Sequence, residues 1–155
     1  MYPYYYRVNN WENVLHALHQ SLFAEEMVCA MSSELFHIPE TQGLEGNAEM
    51  HNHLVPASYH RVTAVGSAQR LMNGEQQQSI IETMSACIMN AEAQDKQVRQ
   101  GLNTMERNAS PSYKPVIAVI IMWQEQAEYY LNQAREASQL LGVSFSGESE
   151  EYNYN

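Results

Sequence analysis

Residues 114–141 read KPVIAVIIMWQEQAEYYLNQAREASQLL, and this stretch decides the predicted fold. Its apolar residues recur at steps of three and four, which places them on one face of an α-helix. Pro115 suits the first turn of a helix, and Gly142 is typical of the position just after a helix ends. The predicted face consists of Ile117, Ile120, Ile121, Gln124, Ala127, Glu128, Leu131 and Ala134. An amphipathic helix of this kind needs other helices to cover its apolar face.

Three further segments show helical spacing, and no segment alternates convincingly as a strand does. The first runs from about residue 10 to 36. The second begins within residues 40–55, a segment predicted as a loop followed by the start of this helix, and Pro56 either opens the helix at its first turn or kinks it. The third spans about 75–105. Four helices joined by turns predict an all-α fold, specifically an antiparallel four-helix bundle.

The composition favours one globular domain with two distinct tails. The chain has 155 residues, 45% of them hydrophobic, which is enough apolar surface for a single core. The bundle is predicted over residues 10–142. A Tyr-rich tail at 1–9 precedes it, and an acidic tail containing Tyr and Asn follows at 143–155. Cys29 and Cys87 lie in apolar helical patterns, so both are expected to be free, buried thiols.

The balance of acidic and basic residues indicates which classes of partner the protein is expected to bind. Eight Lys and Arg face 18 Asp and Glu, for a formal net charge of -10. Such a chain repels phosphates and anionic lipid, so neither nucleic acid nor membrane is an expected partner. The longest apolar stretch, 116–123, is far too short to cross a bilayer, and no signal-peptide core is found at the N-terminus. We therefore expect cytoplasmic synthesis.

Carboxylates interrupt the predicted apolar faces at mid-helix. Glu25, Glu92 and Glu128 each fall where a bundle would bury apolar side chains. A di-iron bundle uses one Glu from each of two helices and Glu-x-x-His from each of the other two. Oxygen ligands combined with imidazole suit iron or manganese. These positions therefore indicate at least part of a carboxylate metal site.

Residues 23–32, FAEEMVCAMS, resemble the Glu-bearing first helix of rubrerythrin-like proteins in the ferritin-like superfamily. That family usually has Tyr seven residues after the Glu, where this chain has Ser32. Glu92 takes the matching place in the third helix. Residues 123–130, WQEQAEYY, resemble the family's Glu-x-x-His motif, with Glu128 in place of His. The resemblance implies Glu25, Glu92, Glu125 and Glu128 as ligands of iron or manganese.

The second helix departs most from this pattern. Counting back from Met72-Asn73-Gly74 places Ser58 and Arg61 where the family has Glu and His. Serine is a poor iron ligand, and arginine cannot be deprotonated. We predict that Arg61 points toward the bundle interior or its edge, near Glu25 or Glu92, and neutralises a buried carboxylate there. Some side chain or metal must do so, because an unpaired buried carboxylate is costly.

Several alternatives stay open at this point. Glu25 beside Glu26 also fits a solvated pair at a face boundary, and Ala91 competes with Glu92 for the inner position. His53 could supply the missing ligand if the second helix begins early. His16 and His19 share a helix face and could hold a metal there, although solvent-facing histidines are the favoured interpretation.

Two functions compete on this evidence. The Tyr-rich ends resemble those of small ferritin-like coat proteins of spore-forming bacteria. That reading implies a structural spore-coat protein that forms homo-oligomers and contacts other coat proteins, with no cofactor. The alternative is a rubrerythrin-like diiron or dimanganese oxidoreductase acting on peroxide or dioxygen.

Overall fold

A computed structural model describes residues 10–145 of this chain, and all of its regular structure in that range is helical. Four helices are long: α1 Trp11–Phe36, α3 Asn47–Met72, α4 Gln78–Asn108 and α5 Lys114–Leu140. A short helix, α2 Pro39–Gln42, lies between α1 and α3. The all-α prediction is therefore confirmed. No helix within the described residues is both long and apolar enough to cross a membrane.

The second long helix begins within residues 40–55, and the structure decides between the two positions predicted for Pro56. α3 starts at Asn47, and Pro56 lies inside it rather than in its first turn. The segment predicted as a loop also contains α2, whose first turn holds Pro39. Gly46 precedes α3 with a φ of 95°, a left-handed conformation that glycine adopts without strain. This turn lets α3 start nine residues before the proline.

Each long helix packs against two others. α1 lies against α3 and α5, and α4 lies against the same two helices. All four long helices bury residues at alternating steps of three and four, the heptad spacing of packed helices. The buried sets are Val14, Leu18, Ser21, Glu25, Val28, Ser32 and Leu35; Met50, Leu54, Ala57, Arg61, Ala64, Ala68 and Leu71; Met84, Ile88, Ala91, Asp95, Val98, Leu102 and Met105; Ile117, Ile120, Gln124, Ala127, Leu131, Ala134 and Ser138.

The hydrophobic core is divided into two clusters along the helices. One cluster contains Leu18, Leu71, Ile88 and Leu131. The other contains Val28, Met50, Leu102 and Ile120. Val143 and Phe145, which fall in the predicted C-terminal tail, are buried in the first cluster. Between the two clusters, the four helices bring together polar side chains.

Candidate functional site: a buried polar layer

The polar layer is centred on Arg61, whose side chain is fully buried. Its guanidinium donates to Asp95 of α4 through both terminal nitrogens, Nη1 to Oδ1 at 2.9 Å and Nη2 to Oδ2 at 2.6 Å. Nη1 also donates to Oε2 of Glu25 on α1. Paired bonds of this kind between arginine and a carboxylate are strong and fix the geometry of both groups.

The remaining nitrogen of Arg61 links the layer to α5. Nε donates to Oγ of Ser21 at 2.8 Å, and that hydroxyl donates to the carbonyl oxygen of Ala127 at 2.7 Å. Gln124 of α5 is also fully buried, and its Nε2 donates to Glu128 at 3.1 Å. All four long helices therefore contribute polar side chains to the layer.

Small residues make room for this large side chain. Ala57 and Ala64 lie one turn on either side of Arg61 in α3, and both are fully buried. Ala91 precedes Asp95 and Ala127 follows Gln124 at core positions, and these two alanines are also fully buried. Interiors are close-packed, so a buried arginine requires small neighbours.

The charges of the layer are set by burial and by mutual contact. Burial raises the pKa of Glu25 to about 7, and the positive charge of Arg61 opposes this rise. Burial alone would lower the pKa of Arg61, but Asp95 and then Glu25 raise it above the ordinary value. Arg61 is therefore a permanent internal cation. Burial also raises the pKa of Glu128, although Arg99 acts in the opposite direction.

Glu25, the first predicted metal ligand, is fully buried in this layer. The prediction that Arg61 points inward and meets Glu25 is confirmed. Glu92 instead forms an ion pair with Arg135 at 2.6 Å on the half-buried flank of α4. Ala91 takes the inner position there.

The two predicted ligands on α5 share one arginine. Glu128 accepts from Nη1 of Arg99 at 2.9 Å, and Glu125 lies 3.7 Å from Nη2 of the same residue. The Glu125 side chain is 55% exposed, so it belongs to the surface. His53 does lie on an early-starting α3, where its Nδ1 is 2.7 Å from Oε1 of Gln94.

Part of the predicted ligand set lines one cavity. Glu92 and Glu128 meet Asp95, Lys96 and Leu131 around a cavity of about 180 Å³ between α4 and α5. Each of the three carboxylates already has an arginine partner. Within residues 10–145, no three His, Cys, Asp or Glu side chains are grouped so that they could hold a metal ion. Because arginines already engage the three carboxylates of this cavity, the residues as arranged here do not fit a metal pair.

Asp95 is the functional residue that the candidate ligand set omits. Glu92, which the resemblance implied as the ligand on this helix, follows Ile88 at a four-residue step. The structure takes the three-residue step to Ala91 and then the four-residue step to Asp95. A strict heptad drawn through Ile88, Ala91 and Asp95 would have found it.

Comparisons with known proteins found no match for this chain. No protein-family model matches the chain. No curated protein matches it, and no solved structure matches it.

Proposed function

We propose that this chain is a structural protein of the spore-coat type, built on a ferritin-like antiparallel four-helix bundle with an internal ion pair at its metal position. The bundle topology is supported by the order of contacts between helices. Phe36 meets His51, whereas Ser21 meets Arg61, so α1 and α3 run in opposite directions. Glu92 meets Arg135 and Arg99 meets Glu128, which gives the same result for α4 and α5.

The single observation that carries the proposal is the position of the Arg61 guanidinium. It lies at mid-bundle, between carboxylates of α1 and α4, where a carboxylate bundle would hold its metal ions. An arginine cannot give up its charge to make room for a second cation there. The single guanidinium offsets the charge of Asp95, and burial raises the pKa of Glu25 to about 7, so that this second carboxyl is largely protonated below that pH and the layer needs no metal.

The coat assignment rests on the termini, and those residues lie outside the described range. Tyr2, Tyr4, Tyr5, Tyr6, Tyr152 and Tyr154 occur there, out of ten tyrosines in the chain. Tyrosine supplies a large amphipathic contact area. A peroxidase using hydrogen peroxide can also join such ends covalently: it removes one electron and one proton from each of two phenols, the two radicals form a C–C bond, and the peroxide is reduced to water. Homo-oligomers and contacts with other coat proteins follow as part of the same proposal.

The alternative, a diiron or dimanganese oxidoreductase, is favoured by one observation. Glu92, Asp95 and Glu128 line a common cavity, and oxygen ligands of this type suit iron or manganese. In that case a metal would have to displace Arg61, Arg99 and Arg135 from these carboxylates. The structural role requires no such rearrangement, so we place it first.

Metal analysis of protein purified without chelator separates the two functions. The structural role predicts far less than one bound iron or manganese per chain, also after incubation with Fe²⁺ or Mn²⁺ and desalting. About two metals per chain would contradict it and support the oxidoreductase, as expected for a two-metal carboxylate bundle. Glu25→Gln is the informative control, because a metal held by the buried layer should be lost in this variant.

A further inference from the structure

The outer face of α3 carries an apolar stripe that nothing in the described chain covers. Val55, Tyr59 and Val62 are 72%, 67% and 54% exposed, although helices normally turn such residues inward. They occur at steps of four and three, so they form one continuous row. Gly66, four residues further on, extends the row and is also exposed. We call Val55, Tyr59, Val62 and Gly66 the α3 stripe.

Nothing in the described part of the chain explains why residue 66 is a glycine. A Cβ atom at this position would have nothing within 4 Å. Glycine in the middle of a helix is nevertheless less favourable than alanine. The other glycine inside a long helix, Gly101, is explained because a Cβ there would lie 2.8 Å from the Gly46 carbonyl oxygen. By the same logic, Gly66 indicates close approach of a second helix from outside.

The charge around the stripe identifies the kind of partner. The chain has 18 acidic residues, yet none occurs between Met50 and Gly74. The groove beside the stripe is lined on α1 by Cys29 and Ser33 and on α3 by His51, Leu54 and Ser58, again without a carboxylate. Two copies of a chain with net charge -10 repel each other over most surfaces. No residue of the α3 stripe or lining its groove carries a carboxylate, so two copies can meet here with less repulsion, and the exposed Glu26 of α1 acts on Cys29 from beside the groove.

We propose that two copies of this chain associate through their α3 stripes, antiparallel across a two-fold axis. A two-fold interface joins the same patch on both subunits, so the patch must be complementary to itself. With the axis midway along the stripe, Val55 faces Gly66 of the second copy and Tyr59 faces Val62. Large residues then oppose smaller ones at every step. This contact gives a surface to the self-association proposed above, and it uses no residue of the tails.

The test is sedimentation equilibrium of the full-length protein without peroxidase, so that tail cross-linking does not contribute. Wild-type protein should form dimers. Val62→Glu should raise the dimer dissociation constant by roughly a hundredfold or more, because each dimer would bury two carboxylates in an apolar contact. Val119→Glu is the matched control, since Val119 is a 39% exposed valine on α5, and it should leave the dimer intact. Circular dichroism should show unchanged helix content in both variants.

Gly66→Ala supplies a second test, because it should weaken the dimer and stabilise the monomer. The added methyl group should weaken the dimer by roughly tenfold, because it lies between the two helices. The same change should raise the melting temperature of the monomer at low concentration, since alanine favours the helix and meets no neighbour. A monomeric wild type, dissociation by Val119→Glu instead of Val62→Glu, or a Gly66→Ala dimer of unchanged affinity would each overturn the proposal.

Discussion

Arg61 shows how a charged side chain can sit at the centre of a hydrophobic bundle. Each of its three guanidinium nitrogens donates to an oxygen, and two of the acceptors are carboxylates. Taking charges out of water is costly, and their attraction offsets this cost only when the hydrogen bonding is complete. The buried ion pair therefore need not add to the overall stability of the fold. Removing one partner, however, leaves the other charge buried without compensation.

Arg61→Ala should lower the free energy of unfolding by about 3–5 kcal/mol, because it leaves Glu25 and Asp95 buried without their cation. Urea unfolding followed by circular dichroism measures this change. Arg70→Ala is the control, since Arg70 pairs with Glu75 while its side chain is 55% exposed, and its effect should be far smaller. Equal effects of the two substitutions would show that the interior pair is not needed. If Mn²⁺ restores stability to Arg61→Ala but not to wild type, the guanidinium stands in for a metal cation.

The stability of the protein should fall as pH rises from 4.5 to about 7, because of Glu25. The pKa of this carboxyl is about 7 in the fold, against an ordinary value of 4.5. Below the ordinary value both states are protonated; between the two values the unfolded chain releases its proton while the folded chain keeps it. Each step upward in pH across this window therefore favours unfolding, and the effect is complete above the folded pKa.

Denaturant unfolding in buffers from about pH 5 to about pH 8 tests this dependence. Glu25→Gln cannot titrate, so the difference between wild type and this variant isolates the contribution of Glu25. Burial raises the pKa of Glu128 as well and lowers that of His51, so some dependence on pH should persist in the variant. Parallel pH profiles for the two proteins would show that Glu25 is already ionised in the fold.

At the scale of elements, the helices were predictable because their apolar residues recur at helical spacing. Asn10 caps α1, and its side-chain oxygen accepts a hydrogen bond from the Asn13 amide. The start of α3 was not predictable in the same way. The signals of Gly43, Gly46 and Pro56 favour a loop locally, and packing of Met50 and Leu54 into the core outweighs them.

The site was predictable only in part, for a related reason. Glu25 also fits a solvated pair with Glu26, and Val62 also continues the apolar spacing beside Arg61. The inward direction of Glu25 and Arg61 was therefore predicted from their places in the metal-ligand pattern and not from apolar spacing alone. On α4, Ala91 and Glu92 lie three and four residues after Ile88, so either can lie on the same helix face. The spacing within one helix does not show which of the two points inward. The choice depends on the rotation of α4 against α3 and α5. This is a tertiary property, and it brings Asp95 rather than Glu92 to Arg61.

The contact between α3 and α4 requires glycine on both sides. A Cβ at Gly101 would lie 2.8 Å from the Gly46 carbonyl oxygen and 2.8 Å from Cβ of Met50. Gly46 has φ of +95°, so its backbone cannot shift freely to make room. Gly101→Ala should therefore lower the free energy of unfolding by about 1–3 kcal/mol, despite the better helix propensity of alanine. Gly66→Ala, measured as a monomer, should change it in the stabilising direction by roughly 1 kcal/mol. Stabilisation by both substitutions would mean that α3 and α4 do not approach this closely.

At the scale of the whole molecule, the exposed large apolar residues are distributed unevenly. Within the described range they lie on α1, α3 and α5, while α4 presents none. A sequence pattern gives the inward face of each helix, but an outward apolar residue such as Tyr59 looks like ordinary scatter. Only the packing of the helices shows that Val55, Tyr59 and Val62 share a surface that remains uncovered.

The last prediction concerns removal of residues 1–7 and 147–155. Both core clusters consist of residues between Val14 and Phe145, so the shortened protein should keep its helix content and unfold cooperatively. Val143 and Phe145 must stay, because they are buried and the Arg135 guanidinium lies 4.6 Å from the Phe145 ring centroid. Removal from residue 143 onward should therefore destabilise the fold, and it serves as the comparison for the cut at residue 147.

The same truncation tests the coat role through peroxidase cross-linking. Tyr59 and Tyr129 are at least half exposed and remain in the shortened chain, so they could still react. Full-length protein carrying Tyr59→Phe and Tyr129→Phe is the matched control. It keeps the tyrosines of both tails and lacks the two bundle tyrosines that are at least half exposed. If the tails serve assembly, this control should cross-link into ladders of higher mass while the truncated protein does not. Equal ladders from truncated and full-length protein would remove the main support for a structural role, because the tyrosines that motivate it would then be dispensable.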